Sequence, residues 1–283
     1  MKSIYLLCGT SKQGHHQALA RAKVLCQKGP VYVGFVLEVR QMHPGMGLRT
    51  IYEHFRPEGI GRDAFTALGL REGLRLAAAR NHVRTTRSVK HRRYANLLGG
   101  RRFTGVNQLW VSDLFYFPLG GRHYYVVLIM DVYSRRVVGH SVAENMRAEN
   151  NVSALRMALT LRGVPDFEKK LMHHSDRGSR YASDDYTDLL AEHGILVSMC
   201  NEVYENTHSE RVNGTIKNDY LNRWNIQSEK ALFRLVPKAV AAYNERPHQG
   251  LTQKMTPIAF ESYIKELTEK QRPKIEIYTV HNQ

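Results

Sequence analysis

The order of strand-like and helix-like segments between residues 108 and 221 most limits what this chain can fold into. Three runs rich in β-forming residues come first, with two neighbouring glycines as the turn between the first two: QLWVSDLFYF, RHYYVVLIMDVY and RRVVGHSVA. Helical patterns then alternate with two short apolar strands and end in a long helix over 205–221. This order predicts an α/β fold, a mixed five-stranded sheet with helices on its faces.

Three acidic residues stand where such a sheet and its last helix would bring them together. Asp113 interrupts an apolar strand, Asp176 ends the strand LMHHSD, and Glu210 lies on the helix 205–221. A buried carboxylate is costly unless it is paired, hydrogen-bonded or bound to a metal. Oxygen ligands without a thiol suit Mg²⁺ or Mn²⁺, and two such ions can assist phosphoryl transfer. Each acid alone would be explained as a cap, a salt-bridge partner or a surface charge, so the prediction rests on the set.

The positive charge is concentrated at the front of the chain. Residues 1–110 contain 19 Lys and Arg against 5 Asp and Glu, whereas the remaining residues contain 22 basic and 21 acidic side chains. A basic segment predicts a polyanionic partner, either nucleic acid or an anionic membrane surface. No run approaches the roughly 20 apolar residues that span a bilayer. The distribution is what a DNA-binding arm joined to an enzymatic domain would show, although a merely basic protein would share it.

The segment 31–82 predicts short helices. Val31, Phe35, Val36 and Val39 recur at near-helical spacing, HPGMG breaks that pattern, and two further helical runs follow it. Short helices across a tight turn suit a helix-turn-helix whose later helix enters a major groove, with Arg49 and Arg62 as DNA contacts. A helical hairpin that never touches DNA has the same pattern.

A basic linker is predicted between this helical region and the sheet. The stretch after residue 82 is rich in Arg and contains no Asp or Glu up to residue 105. Each phosphate contact made by such a linker would release counterions and make binding sensitive to salt. The side chains proposed to contact DNA here are Arg92, Arg93, Arg101 and Arg102. A solvated run of charges is the alternative interpretation.

Five ordered motifs give the sequence its resemblance to a known family. They are HPGMGLRTIYEHF (43–55), WVSD (110–113), HHSDRGSRY (173–181), YENTHSERVNGTIKNDYL (204–221) and YNERPHQGLTQKMTPIAF (243–260). From about residue 38 to residue 260 the chain resembles bacterial insertion-sequence transposases of the second-reading-frame type, whose DDE core is like that of retroviral integrases. The resemblance implies a ribonuclease H-like fold preceded by a helix-turn-helix region.

The same resemblance implies roles for individual residues. Asp113, Asp176 and Glu210 match the metal-binding catalytic triad, and 33 residues separate Asp176 from Glu210, slightly fewer than is usual in the group. Asn213 and Lys217 follow Glu210 by three and seven residues, which puts them on one helical face. By resemblance they hold the DNA end. The implied cofactor is Mg²⁺ or Mn²⁺, with two ions in the site.

The implied substrate is double-stranded DNA: the inverted terminal repeats of a mobile element and the target DNA. A homo-oligomer would bring two ends together. The chain starts near the usual beginning of the second reading frame, so the first-frame product is an expected partner. The expected location is the cytoplasm, on the nucleoid, without membrane contact. The expected segments are a helical DNA-binding region (1–82), a basic linker (83–105), a catalytic core (106–262) and a C-terminal tail (263–283).

Two other functions remain open from the sequence. Ribonuclease H-like folds also occur in nucleases that cut RNA in hybrids, and a DNA-binding regulator derived from a transposase can keep the family's motifs. Among the remaining polar residues, Asp131 is expected to cap a turn. His174 is expected to alternate into the strand and pack, and neither His173 nor His174 is expected to bind metal. The scattered Cys8, His15, His16 and Cys26 lack the paired spacing of a zinc site.

Overall fold

The computed structural model describes residues 9, 11–77, 94–164, 166–168, 170–200 and 206–276. The chain divides into two compact units, Met1–Ala78 and Ala79–Gln283. The proposed DNA contacts Arg92 and Arg93, and residues 83–93 of the predicted basic linker, lie outside the described residues. Within the described ranges, none of the helices has both the length and the apolar character that a membrane crossing requires.

The described part of the first unit contains three helices: α1 (Lys12–Met42), α2 (Leu48–Phe55) and α3 (Arg62–Arg71). Their apolar faces share one small core around Ile51 and Phe65, both essentially inaccessible to solvent. At Gly69 a Cβ atom would lie 2.7 Å from the side chain of Leu48, so the glycine lets α3 approach α2 closely. This close crossing fixes how the two short helices pack on each other.

Two details of the first unit differ from the sequence prediction. The segment that follows residue 31 is not a separate short helix, because it continues the 31-residue α1. Val31 does not belong to the buried stripe and is 69% exposed, whereas Tyr32, Val36 and Val39 are buried. Val36 follows Tyr32 by four residues and Val39 follows Val36 by three, which fits the helical period as well as the predicted set does. Packing against α2 and α3 selects this set of residues for burial.

The second unit contains the predicted mixed sheet, which confirms the fold class. Its strands in spatial order are β4 (Val137–Ala143), β3 (Arg122–Asp131), β2 (Leu109–Leu119), β5 (Met172–Ser175) and β6 (Leu196–Met199). The first three strands pair antiparallel, and β2, β5 and β6 pair parallel. This is the ribonuclease H-like arrangement, with β2 at the centre between the two kinds of pairing.

Helices cover both faces of the sheet. On one face, α4 (Ala148–Arg162) and α5 (Asp184–Glu192) pack over a core that includes Trp110 and Ile129. Gly139 permits the contact with α4, because a Cβ there would lie 2.2 Å from the carbonyl oxygen of Ala154. The other face is covered by α6 (Thr207–Thr215), which continues as a π-helical segment over Ile216–Leu221, and by α7 (Glu229–Asn244) and α8 (Pro257–Lys265).

The prediction of one continuous helical segment over 228–262 was wrong. The chain leaves the helix after Asn244, whose side-chain amide exchanges two hydrogen bonds with the backbone of Val137, at 2.8 and 2.9 Å. A new helix starts at Pro257, where the Thr256 side chain caps the N-terminus. Beyond it, β7 (Ile275–Glu276) pairs antiparallel with β1 (Arg102–Phe103), which attaches part of the tail to the strand that precedes the sheet.

Candidate active site

Two of the three predicted acids lie side by side on neighbouring strands. In the parallel pairing of β2 with β5, Ser112 is level with Ser175, and Asp113 and Asp176 are the next residues along each chain. Neighbouring strands lie about 4.8 Å apart, so the backbone brings the two carboxylates to one edge. Since β5 ends at Ser175 and β2 continues to Leu119, the acids stand where β2 loses its neighbour on that side.

The carboxylate of Asp113 is partly buried and carries unbalanced charge. Its pKa is raised to about 7, first by burial and then by the negative charges of Asp176 and Glu210. Loss of hydration disfavours the charged form of an acid, and a like charge nearby adds to that cost. The site therefore concentrates negative charge that its surroundings do not neutralise.

The turn after β5 holds Asp176 in place. Its Oδ1 accepts a hydrogen bond from the backbone N–H of Gly178 at 2.9 Å. A Cβ atom at Gly178 would lie 2.9 Å from that oxygen and 3.4 Å from Nη2 of Arg180, so the turn leaves no room for a side chain. Arg180 is close enough to the acids that its charge lowers the pKa of Asp113, although this effect is smaller than that of burial.

The start of α6 is attached to the central strand beside these acids. Asn206, the residue before α6, is buried and donates from its amide to the carbonyl oxygen of Ser112 at 3.4 Å, and Ser209 donates to the Asn206 carbonyl at 2.8 Å. One turn into the helix, Nδ2 of Asn213 donates to Oδ2 of Asp113 at 3.0 Å. Glu210 lies on the first turn of this helix, one turn before Asn213 and exposed to solvent.

The donor set fits a hard divalent cation. All three acids offer carboxylate oxygens, the ligands that Mg²⁺ and Mn²⁺ prefer. Within the described residues no three His, Cys, Asp or Glu side chains are already gathered as metal ligands. Asp113 and Asp176 are adjacent through the backbone, and the side chain of Glu210 is exposed to solvent on the first turn of α6.

The helix α6 and the π-helical segment that follows it form one continuous helical rod, and Lys217 lies in the π-helical part of this rod. Its ammonium group sits over the ring of Tyr116, 4.4 Å from the centroid, and 5.9 Å from that of Phe115. The side chain is only 7% exposed, and burial lowers the pKa of its ammonium group. Among the described residues it forms no ion pair with an acid. A buried cation without an acidic partner is costly, which is expected if a phosphate is to bind there.

The remaining predicted DNA contacts do not join this cluster. Arg49 and Arg62 belong to the first unit, where both are exposed and Arg62 pairs with Asp63 at 3.0 Å. Arg101 and Arg102 are exposed at the start of β1. The structure thus separates the predicted contacts into an exposed basic set and a buried set beside the acids.

Several residues around the acids were missed by the sequence prediction. Arg180 and Tyr181 close the motif HHSDRGSRY, and the hydroxyl of Tyr181 shares a 2.9 Å hydrogen bond with that of Ser112. Asn206 lies at the start of the motif that contains Glu210. Their position inside motifs was visible in the sequence, but the contacts of Tyr181 and Asn206 with Ser112 depend on the pairing of distant segments.

A second group of acids lies in the same unit. Asp131 caps the turn after β3, with Oδ1 accepting from the N–H groups of Tyr133 and Ser134 at 3.0 and 3.1 Å, which confirms the predicted turn-capping role. Its Oδ2 lies 3.4 Å from Arg162. Arg162 also binds Glu261 of α8, at 2.7 and 2.9 Å. These contacts join the end of β3, α4 and α8.

Further polar groups of the motifs are structural. His173 is fully buried with Nε2 2.8 Å from the hydroxyl of Tyr186, and burial lowers its pKa to about 3, so it packs as a neutral side chain. His174, which was predicted to pack, is also fully buried, with Nδ1 2.9 Å from the hydroxyl of Ser198. In the closing motif Arg246 forms an ion pair with Asp219, which follows Lys217 on the π-helical segment. The closing motif is therefore bound to the rod that carries Glu210 and Lys217.

Comparisons with known proteins show what this chain is similar to. Residues 104–203 match the family model described as the integrase core domain. The chain is 30% identical over 221 residues to an uncharacterized 31 kDa protein of insertion element IS600 from Shigella sonnei, covering 76% of this chain and 80% of that protein. It is 32% identical over 212 residues to the transposase of insertion element IS629 from the same organism, covering 72% and 69%. Among solved structures, the HTLV-2 integrase catalytic core with magnesium covers 59% of this chain and 99% of its own, at 21% identity and a TM-score of 0.44.

Proposed function

This chain belongs to the insertion-sequence transposases that carry an integrase core domain, and we propose that it cuts the ends of its element and joins them to target DNA with Asp113, Asp176 and Glu210 as catalytic carboxylates. One observation carries the assignment of these residues. Asp113 and Asp176 are level on adjacent parallel strands, and the helix that bears Glu210 is hydrogen-bonded to both Ser112 and Asp113. Acids that only stabilise a fold do not need to repel one another in this way.

Divalent cations, Mg²⁺ or Mn²⁺ and two in number, would be held by these three carboxylates. Such cations supply the charge that polarises the scissile phosphate and activates the attacking water or 3′-hydroxyl. Asp113 and Asp176 provide the fixed part of the site, because the sheet pairing and the Gly178 N–H restrict them. Glu210 provides the adjustable part, because its side chain is exposed on the first turn of α6.

Asn213 orients the first of these carboxylates. Its amide donates to Oδ2 of Asp113, which leaves the other lone pairs of the carboxylate for a cation. Partners of metal ligands are known to affect both metal affinity and activity. Asn213 therefore acts on the acid as well as toward the DNA end that the family resemblance implies.

DNA is bound by both units in this proposal. Lys217 would leave the ring of Tyr116 to meet a phosphate near the reacting bond. In the first unit, Arg49 and Arg62 would contact the repeat through α2 and α3, the proposed helix-turn-helix. Arg92, Arg93, Arg101 and Arg102 would bind backbone phosphates along the linker. Two or more copies of the chain, with or without the first-frame product, would hold two element ends together.

The proposal is tested with duplexes from the inverted repeats that flank the coding sequence. Wild type, Asp176→Ala and Glu210→Ala are incubated with labelled ends in Mg²⁺, in Mn²⁺ and in EDTA. We expect metal-dependent cleavage at the 3′ end and strand joining in the wild type, both lost in the variants while end binding persists. Binding without cleavage in either metal would replace the proposal by a DNA-binding regulator, and cleavage confined to RNA–DNA hybrids by a nuclease.

A further inference from the structure

A surface pocket lies at the far end of the rod that carries Glu210, Asn213 and Lys217. It has a volume of about 390 Å³, within the range of cavities that hold small molecules. One wall is formed by Phe117 and Pro118 of β2. The other is the loop that follows the π-helical segment, and the residues that carry the argument there are Asn222, Arg223, Trp224 and Asn225.

The pocket is in line with the candidate active site. The strand β2 and the rod formed by α6 and the π-helical segment run beside each other, and three contacts in sequence order join them. Asn213 binds Asp113, Lys217 lies over Tyr116, and the loop after Leu221 faces Phe117 across the pocket. A DNA strand whose reacting phosphate lies at Asp113 and whose backbone meets Lys217 would therefore reach this pocket next.

The distance from Asp113 to the pocket can be expressed as a number of nucleotides. Phe117 is the fourth residue after Asp113 on an extended strand. At roughly 3.4 Å per residue, the two positions are about 14 Å apart. Consecutive nucleotides of a DNA strand are about 3.4 Å apart along the helix axis. The pocket would therefore lie about four nucleotides from the reacting phosphate.

The side chains around the pocket are those that recognise a nucleobase. Trp224 is partly exposed, its indole edge rests on Tyr220 with 5.7 Å between ring centroids, and the ammonium of Lys238 lies 5.6 Å from the ring centroid. Aromatic rings provide stacking surfaces for bases. The amides of Asn222 and Asn225 and the guanidinium of Arg223 offer donors and acceptors for a base edge. A base in a paired, stacked duplex cannot enter a pocket, so it has to leave the stack.

We propose that this pocket binds one unstacked nucleobase of the element-end DNA, about four nucleotides from the reacting phosphate, with the base against Trp224. The proposal rests on the proposed function, since it takes the position of the reacting phosphate from the three carboxylates. Capture of a base there would fix the distance between the repeat and the acids. It would also open the duplex about four nucleotides from the bond that is cut.

A mismatch scan tests the proposal. Duplex ends with a single mismatch at successive positions are titrated with wild type, Trp224→Ala, Trp224→Phe and Phe233→Ala. The last variant is the matched control, because Phe233 is a partly exposed aromatic residue that does not line the pocket. A mismatch lowers the cost of extruding a base. We expect wild type and Trp224→Phe to bind the end at least about fivefold more tightly when the mismatch lies about four nucleotides from the cut, a gain that corresponds to about 1 kcal/mol.

The variants distinguish binding of a base in the pocket from metal-dependent cleavage at the carboxylates. Trp224→Ala should lose this gain and keep metal-dependent cleavage on an end that carries the mismatch. Phe233→Ala should behave as wild type. Since Trp110 is fully buried, Trp224 should account for any quenching of tryptophan emission by the DNA, and Trp224→Phe should abolish that quenching. A flat mismatch profile with normal cleavage would overturn the pocket proposal alone, whereas absence of metal-dependent cleavage in every DNA would overturn the proposed function.

Discussion

Two groups of carboxylates in the second unit are treated in opposite ways. Glu261 accepts hydrogen bonds from Arg136 and Arg162 at 2.6 to 2.9 Å, and although burial raises its pKa, these guanidinium groups lower it overall. Asp113 has no such partner, and its pKa rises to about 7. Within the described residues no Lys or Arg forms an ion pair with Asp113, Asp176 or Glu210. The fold neutralises Glu261 with its own guanidinium groups and leaves Asp113 without one. Asp131 is intermediate, because burial raises its pKa although Arg162 lies 3.4 Å away.

This difference separates structural acids from catalytic ones more clearly than burial does. Both groups contain acids that are shielded from water, and each includes one acid at the end of a strand, Asp131 in β3 and Asp176 after β5. A carboxylate that is already paired with arginine has few lone pairs and little charge left for a cation. A set that lacks such partners costs stability unless a cation or a proton is bound. Substitutions that remove the charge of one acid in each group test this difference.

The largest effect is expected for Asp113→Asn. Loss of one cation ligand should reduce metal-dependent cleavage of element ends at least about 1,000-fold, since cations contribute several kcal/mol to such reactions. The free energy of unfolding should stay equal or rise, because the change removes a charge that burial and two neighbouring acids disfavour. Cleavage rates and urea unfolding measure the two quantities. Asp185→Asn, an exposed acid on α5, is the control, and a large loss of stability in Asp113→Asn would contradict the comparison.

The opposite result is expected for Glu261→Gln. The change leaves the buried Arg162 with a neutral residue in place of Glu261 and with only the longer 3.4 Å contact to Asp131, and removing one member of a buried pair costs about 3 to 5 kcal/mol. Cleavage per folded molecule should stay within about twofold of wild type when measured well below the melting temperature. Glu266→Gln, exposed just after the same helix, should leave the free energy of unfolding within about 0.5 kcal/mol of wild type. Equal stability of Glu261→Gln and wild type would show that this group is not a structural network.

The contrast between the groups was only half visible in the sequence. Asp113 and Asp176 could be placed because an acid inside an apolar strand and an acid at a strand end are local features. Glu261 could not, since its partners Arg136 and Arg162 are 125 and 99 residues away along the chain. A local sequence pattern predicts whether a segment is a helix or a strand. It does not predict which charged residue, distant along the chain, will contact a side chain on that segment.

The two errors in the helices have different causes. Apolar residues at 31, 32, 35, 36 and 39 fit more than one helical stripe, and only packing decides that Tyr32 is inside and Val31 outside. The helix predicted over 228–262 ends at Asn244, whose side chain binds the Val137 backbone. Pro247 and Gly250 in the segment that follows disfavour a helix, so this break was a local feature of the sequence.

Asn213 and Asn244 extend the comparison to neutral side chains. Asn213→Ala removes the hydrogen bond to Asp113, so we expect a 10- to 100-fold loss of cleavage, about the effect of removing a partner of a metal ligand, and a higher metal concentration at half-maximal rate. Asn244→Ala leaves the buried backbone of Val137 without two hydrogen bonds, so it should lower stability by about 2 kcal/mol and leave the metal requirement unchanged. Metal titrations and unfolding curves of both variants provide the check, and exchanged phenotypes would refute the assignment.

The smallest effect is expected for substitutions of Lys217. This lysine, like the acids of the candidate active site, forms no ion pair among the described residues. The ammonium group is buried over Tyr116 with no ion-pair partner among the described residues, so a DNA phosphate would be its first counter-charge. Lys217→Ala should lower the slope of log affinity against log salt by about one and weaken end binding less than tenfold at moderate salt. Lys217→Arg should keep the slope, and Lys170→Ala, an exposed lysine paired with Glu168, should not change it. If Lys217→Ala leaves the slope unchanged, the lysine is a packing residue, and the unpaired charge of the site is confined to its acids.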